Sequence, residues 1–273
     1  MAVSIGRWSA GIDRTDGCMP GISASRRSGG EAKHARSVGL LGIQARWRAS
    51  RVPLGRALGE AEVAVLAELD PVRRGLAEAL APRLPGEALR ARGVEERMLA
   101  ARGRRSILED GIVALVSRGG ASSRETRHAM ALLAVLERID PMMSECVAVA
   151  AMRDLMRRDT RSLAELLACL TAMGDVADEQ IAEAGRMFSE RDLSGLTALR
   201  NRDRKLCELN RRCLAAAENG TAGNGARNGA NLATLVARAV ERIGEGALAV
   251  GRQAAFLETG VAPPLLEADL ART

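Results

Sequence analysis

Two stretches of the chain carry the same acidic turn. Leu132 to Met143 reads LLAVLERIDPMM and Val236 to Ala247 reads VARAVERIGEGA, so Glu137-Arg138-Ile139 returns 104 positions later as Glu241-Arg242-Ile243. In the second copy another acid follows four places on, Glu245; in the first, that place is Pro141. Side chains at i and i+4 stand above one another on a helix. Glu241 and Glu245 can therefore converge on one cation, or pair with Arg238 and Arg242 as a solvated face at roughly 0.2–0.5 kcal/mol per pair.

Other chemistry has little material. Of two histidines, His34 lies near the N-terminus, and His128 falls on a helical segment where a structural role outweighs that of a general base. No Gly-Lys-Ser/Thr phosphate loop is present, and the Gly-rich stretch at 219–229 joins helix to helix with no preceding strand. Cys18, Cys146, Cys169, Cys207 and Cys213 form no Cys-x-x-Cys pair, so neither a disulfide framework nor a zinc site is expected. Free thiols fit a cytoplasmic protein. Met142, Met143, Met152 and Met156 follow helical spacing and read as core. The expectation is a protein that is not an enzyme.

The elements that must position these residues are helical. Trp8, Trp47, Phe188 and Phe256 are the only aromatics in 273 residues, so the core must be built from Ala, Leu, Val and Met, mostly good helix formers. No run of about 18 apolar residues exists to span a membrane. The net charge of +6 sits in residues 1–53; the remainder is neutral, which argues against a basic face on the folded body and against a specific nucleic-acid partner. Residues 1–45 are rich in Gly, Ser and Arg and read as a disordered basic extension.

From Arg46, helical stretches alternate with short breaks. The first runs to Leu80, with Asp70-Pro71 as a kink or a fresh start. The second covers Glu87 to Val116. The third opens at Ser122 or Ser123 on the capping pattern SRET and continues to Met156, with Pro141 kinking or restarting it. The fourth spans Ser162 to Ser189, and the fifth ends near Ala217. A flexible loop, ENGTAGNGARNG, follows. The sixth, Ala230 to Thr259, carries an apolar stripe at Leu232, Val236, Ala239, Ile243, Ala247, Val250, Ala254 and Leu257, and Gly260 stops it.

Six helices with matching third members amount to a duplication. The expected fold is all-α: two tandem antiparallel three-helix bundles, residues 46–156 and 157–260, with a C-terminal tail at 261–273.

In this order the segments resemble the PhoU family, regulators of bacterial phosphate uptake whose three-helix repeats carry Glu-x-x-x-Asp motifs. The resemblance covers roughly residues 54–260. It is best from AMGDVADEQ through the Arg191-Asp192 break and Asp203 to ARAVERIGEGALAVGRQAAFLETG. In the first half, Arg124 takes the place of the family's Asp-Leu-Arg segment, with serines for its acidic part.

The resemblance implies possible metal binding, of iron or another cation, by carboxylates of the second and third helices. Carried over by position, the second repeat offers Glu241 with Glu245 and Asp203 with Cys207; the first offers Glu95 with Leu99 and Glu137 with Pro141. Only one of these pairs is still two carboxylates, so any metal is expected on the second repeat alone. The resemblance further implies a cytoplasmic homodimer that binds the phosphate ABC transporter and a sensor histidine kinase, negatively regulating phosphate uptake and the starvation response. A scaffold of the same fold without phosphate signalling, or a weak binder of anionic surfaces (nucleic acid or membrane) through the Arg-rich tail, is the alternative.

Overall fold

A computed structural model describes residues 42, 45, 47, 52–81, 90–156, 163–219 and 224–261. Most of the N-terminal extension, the tail beyond 261, the loop positions 220–223 and the breaks at 82–89 and 157–162 lie outside the described residues. Those described form helices and no strand. The helices are α1 (Leu54–Ala67), α2 (Leu69–Leu80), α3 (Arg90–Val116), α4 (Ser123–Leu155), α5 (Ala164–Glu190), α6 (Gly195–Asn219) and α7 (Asn224–Thr259).

The α1–α2 break explains Asp70-Pro71. Proline lacks the N–H that would bond the carbonyl of residue 67, and its ring crowds that carbonyl. The chain accordingly turns at Glu68 and restarts at Leu69, so Asp70 lies within the first turn of α2 rather than capping it. Pro141 is different: α4 runs through it without a restart. The flanking Ile139, Met142 and Met143 are all buried, so tertiary packing holds the helix across the lost hydrogen bond.

Helix ends follow local chemistry. Ser122 and Glu125 close a capping box, with the Ser122 N–H donating to Glu125 Oε2 at 2.9 Å and the Glu125 N–H to Ser122 Oγ at 3.3 Å. Gly260 adopts φ +75°, and its N–H returns to the Phe256 carbonyl at 2.8 Å. The expected loop at 218–229 is mostly helix, because α6 extends to Asn219 and α7 begins at Asn224. Glycine weakens a helix without forbidding it, and Gly229 is where Leu163 packs onto the α7 backbone. Gly42 and Ala45 are helical too, and the Trp47 beyond them is buried, its indole N–H donating to Glu60 at 3.3 Å.

The second and third helices of each half run antiparallel. Arg102 meets Asp140 and Met98 meets Ser144, which sets α3 antiparallel to α4. Leu206 against Gly244 and Leu199 against Gly251 do the same for α6 and α7. The 104-residue offset carries the first pair onto the third. The two third helices, α4 and α7, also pack antiparallel over an extensive contact. There Met142 lies on Gly246, and these are equivalent positions of the two copies. A local twofold therefore passes between them. On the opposite side of the bundle Arg73 of α2 grips Asp178 of α5 with two 2.7 Å bonds, within a residue of equivalence.

One core runs through both halves. The predicted stripe on α7 is buried apart from Leu232, which is half-buried. A second face, Ala233, Ala237, Val240 and Leu248, is buried as well, because α7 packs against α4, α5 and α6 at once.

Candidate functional site

The repeated turn lies at the local twofold, where α4, α6 and α7 enclose a cleft of about 620 Å³. Pro141 lines one side and Glu245 the other, with Arg138, Asp203, Arg242 and Arg252 around them. Gly244 and Gly246 flank Glu245, and neither has room for a side chain: a Cβ at the first would strike Leu206 and Gln180, at the second Met142. The Gly-Glu-Gly sequence thus lets α4, α5 and α6 close on α7 while one carboxylate faces outward.

The second-repeat candidates come into electrostatic contact. Asn210 on α6 donates its Nδ2 to Glu241 Oε2 at 2.6 Å. Burial pushes the Cys207 thiol up to about 11, helped by the hydrogen bond and charge of Glu241 and by the charge of Asp203. Asp203 is raised above the usual range by burial, with Arg252 opposing and Glu241 adding to the shift. Glu245 is raised by burial and by the charges of Glu241 and Asp203, against Arg242 and Arg252. The solvated pairing expected within α7 is absent. Arg242 reaches across to α4 and binds Glu145 through two bonds of 2.6 and 2.8 Å, and among the described residues Arg238 pairs with no carboxylate.

Among the described residues no three His, Cys, Asp or Glu side chains converge as ligands. Glu241 accepts from Asn210 and lies beside the Cys207 thiol. The first repeat departs further. The α3–α4 register sets Glu95 well up the bundle from Glu137, and both are exposed, as is Leu99. The α3 residues nearest that turn are cations: Arg102 and Arg105 each reach Asp140 at 3.2 Å.

A second polar cluster has no sequence signature. Glu62 of α1, only 8% exposed, accepts from His128 Nε2 of α4 at 2.7 Å and from Arg191 Nη1 at 3.1 Å. Burial pushes this carboxyl up, but the His128 and Arg191 bonds outweigh it and hold it below the usual range. Arg191 follows α5 with φ +57°, bonds the Phe188 carbonyl and lies 5.4 Å from that ring's centre. His128 is thus tied into a link between the two repeats.

The chain matches no protein-family model and no characterised protein. The resemblance noted from the sequence therefore remains a resemblance. Among the described residues, no helix is long and apolar enough to cross a membrane.

Proposed function

We propose that this chain is a non-enzymatic regulator of phosphate homeostasis that works by binding, a divergent relative in kind of the PhoU regulators. In this reading it acts in the cytoplasm as a homodimer, contacts a phosphate ABC transporter and a sensor histidine kinase, and damps phosphate uptake and the starvation response when phosphate is plentiful. The observation that supports it is the docking of α4 on α7 around a local twofold with the two Glu-Arg-Ile turns in register. That arrangement sets the two copies of the repeated turn against one another, as a duplicated three-helix unit would. Long helices with exposed faces also suit a protein that docks partner helices.

The test is co-purification from cells grown in high phosphate. The tagged chain is expected to retain the transporter ATPase or the sensor kinase, and its deletion to leave phosphate uptake derepressed. Retention of neither, with uptake unchanged, leaves only a scaffold of the same fold. That second reading is favoured by Leu99 and Pro141, which stand where the resemblance expects carboxylates, and by the cations Arg102 and Arg105 beside the first-repeat turn.

A further inference from the structure

Residues 200–212 of α6 hold six basic side chains and two acidic ones, Asp203 and Glu208. Arg202 is bound by Glu179 at 3.1 Å, and Arg200 is half-buried. Arg204, Lys205, Arg211 and Arg212 are exposed, and among the described residues none pairs with a carboxylate; Arg204 reaches only the Asn201 amide oxygen. Separated by six to eight positions, the two pairs fall on one side of the helix, about 10 Å apart. Many arginines elsewhere are held in ion pairs, as at Arg73, Arg97, Arg104 and Arg105. Among the described residues the exposed unpaired ones, such as Arg56, Arg124, Arg138 and Arg238, do not cluster within one stretch of a single helix as the four on α6 do. The neutral sum of the body therefore conceals a basic ridge, against the expectation from charge counting.

The ridge belongs to a rim helix, whose substantial contacts are with α5 and α7 alone. Its other exposed residues include Thr197, Asn201 and Ala215, with no large apolar group to insert into a bilayer. Nor, among the described residues, is a ring exposed for a nucleic-acid base, since Trp47 and Phe188 are buried and Phe256 is half-buried. What the ridge offers is four phosphate-binding cations around one exposed carboxylate, Glu208, three of the four being guanidinium groups that grip phosphate oxygens in pairs.

We propose that the outer face of α6, through Arg204, Lys205, Arg211 and Arg212, rests on an anionic bilayer surface. A convex, aromatic-free ridge meets a plane of headgroup phosphates along its length. The choice of a bilayer over duplex nucleic acid rests on the reading above, in which the partners are membrane components. The contact is electrostatic and superficial, and each cation is worth about fivefold in partitioning.

Flotation of the full chain with phosphatidylcholine vesicles, with and without about a third phosphatidylserine, tests this. The expected result is binding to the anionic vesicles only, reduced at least about fiftyfold in the variant Arg204→Gln/Lys205→Gln/Arg211→Gln/Arg212→Gln. The variant Arg14→Gln/Arg26→Gln/Arg27→Gln/Arg36→Gln removes the same charge from the N-terminal stretch and is expected to keep most of the binding. Circular dichroism checks the fold. Should the fourfold variant unfold, the pairs Arg204→Gln/Lys205→Gln and Arg211→Gln/Arg212→Gln are each expected to lose about twenty-five-fold. Equal binding to neutral vesicles, a loss under threefold in the α6 variants, or a loss confined to the N-terminal variant overturns the proposal. So does ridge-dependent binding to duplex DNA without binding to vesicles. Ridge-dependent vesicle binding by a chain whose deletion leaves phosphate uptake unchanged would keep this inference and remove the phosphate reading.

Discussion

Glu62 joins α1 to α4 and to the residue after α5, and its two cationic-side partners hold the charge where burial would otherwise expel it. Glu62→Ala is expected to cost about 3 kcal/mol in chemical denaturation, because it leaves Arg191 and His128 without their acceptor. A carboxyl held low in the folded state contributes stability above its unfolded value of 4.5 and loses it as pH falls through the folded one. The difference between wild type and variant should therefore shrink on acidification below that value. Asp203 has the opposite sign. Its raised folded value means that its contribution is complete below the ordinary 3.8 and lost as pH rises through the folded value. Asp203→Asn should accordingly raise the denaturation midpoint at neutral pH and leave it unchanged in acid. At this scale the sequence marked Glu241 by repetition and Glu245 by its spacing, whereas the carboxylate that Arg242 binds, Glu145, lies 97 positions away on another helix.

Among the helices, glycine separates solvent from contact. Gly103 lies within α3 with nothing near the position of a Cβ, so Gly103→Ala should stabilise by about 0.5–1 kcal/mol, the ordinary helical preference. Gly244 lies within α7 beneath Leu206 and Gln180, and Gly244→Ala should instead destabilise by about 1 kcal/mol or more as overpacking exceeds that preference. Paired thermal melts read the two signs directly. Both glycines look alike in the sequence; only the neighbouring helix tells them apart. Proline was equally ambiguous. Pro71 breaks its helix and Pro141 does not, because α4 is buried against α7 on both sides of the proline whereas the α1–α2 junction can turn at Glu68. The turn is secured by Arg104, which holds the buried Glu68 carboxylate at 2.6 and 2.7 Å.

For the molecule as a whole, a core shared across α4 and α7 predicts that the repeats do not melt separately. Urea unfolding followed by circular dichroism and by Trp47 fluorescence in a Trp8→Phe background should give coincident transitions, while two resolved steps would show the repeats to be independent. Helicity and most helix ends were determined by the sequence alone, because period, capping and glycine stops act within a few residues. The second buried face of α7, the ridge on α6 and the partners of Arg242 and Glu62 were decided only by tertiary structure. They depend on which helices meet, and one-dimensional charge counting cannot tell a paired arginine from a free one.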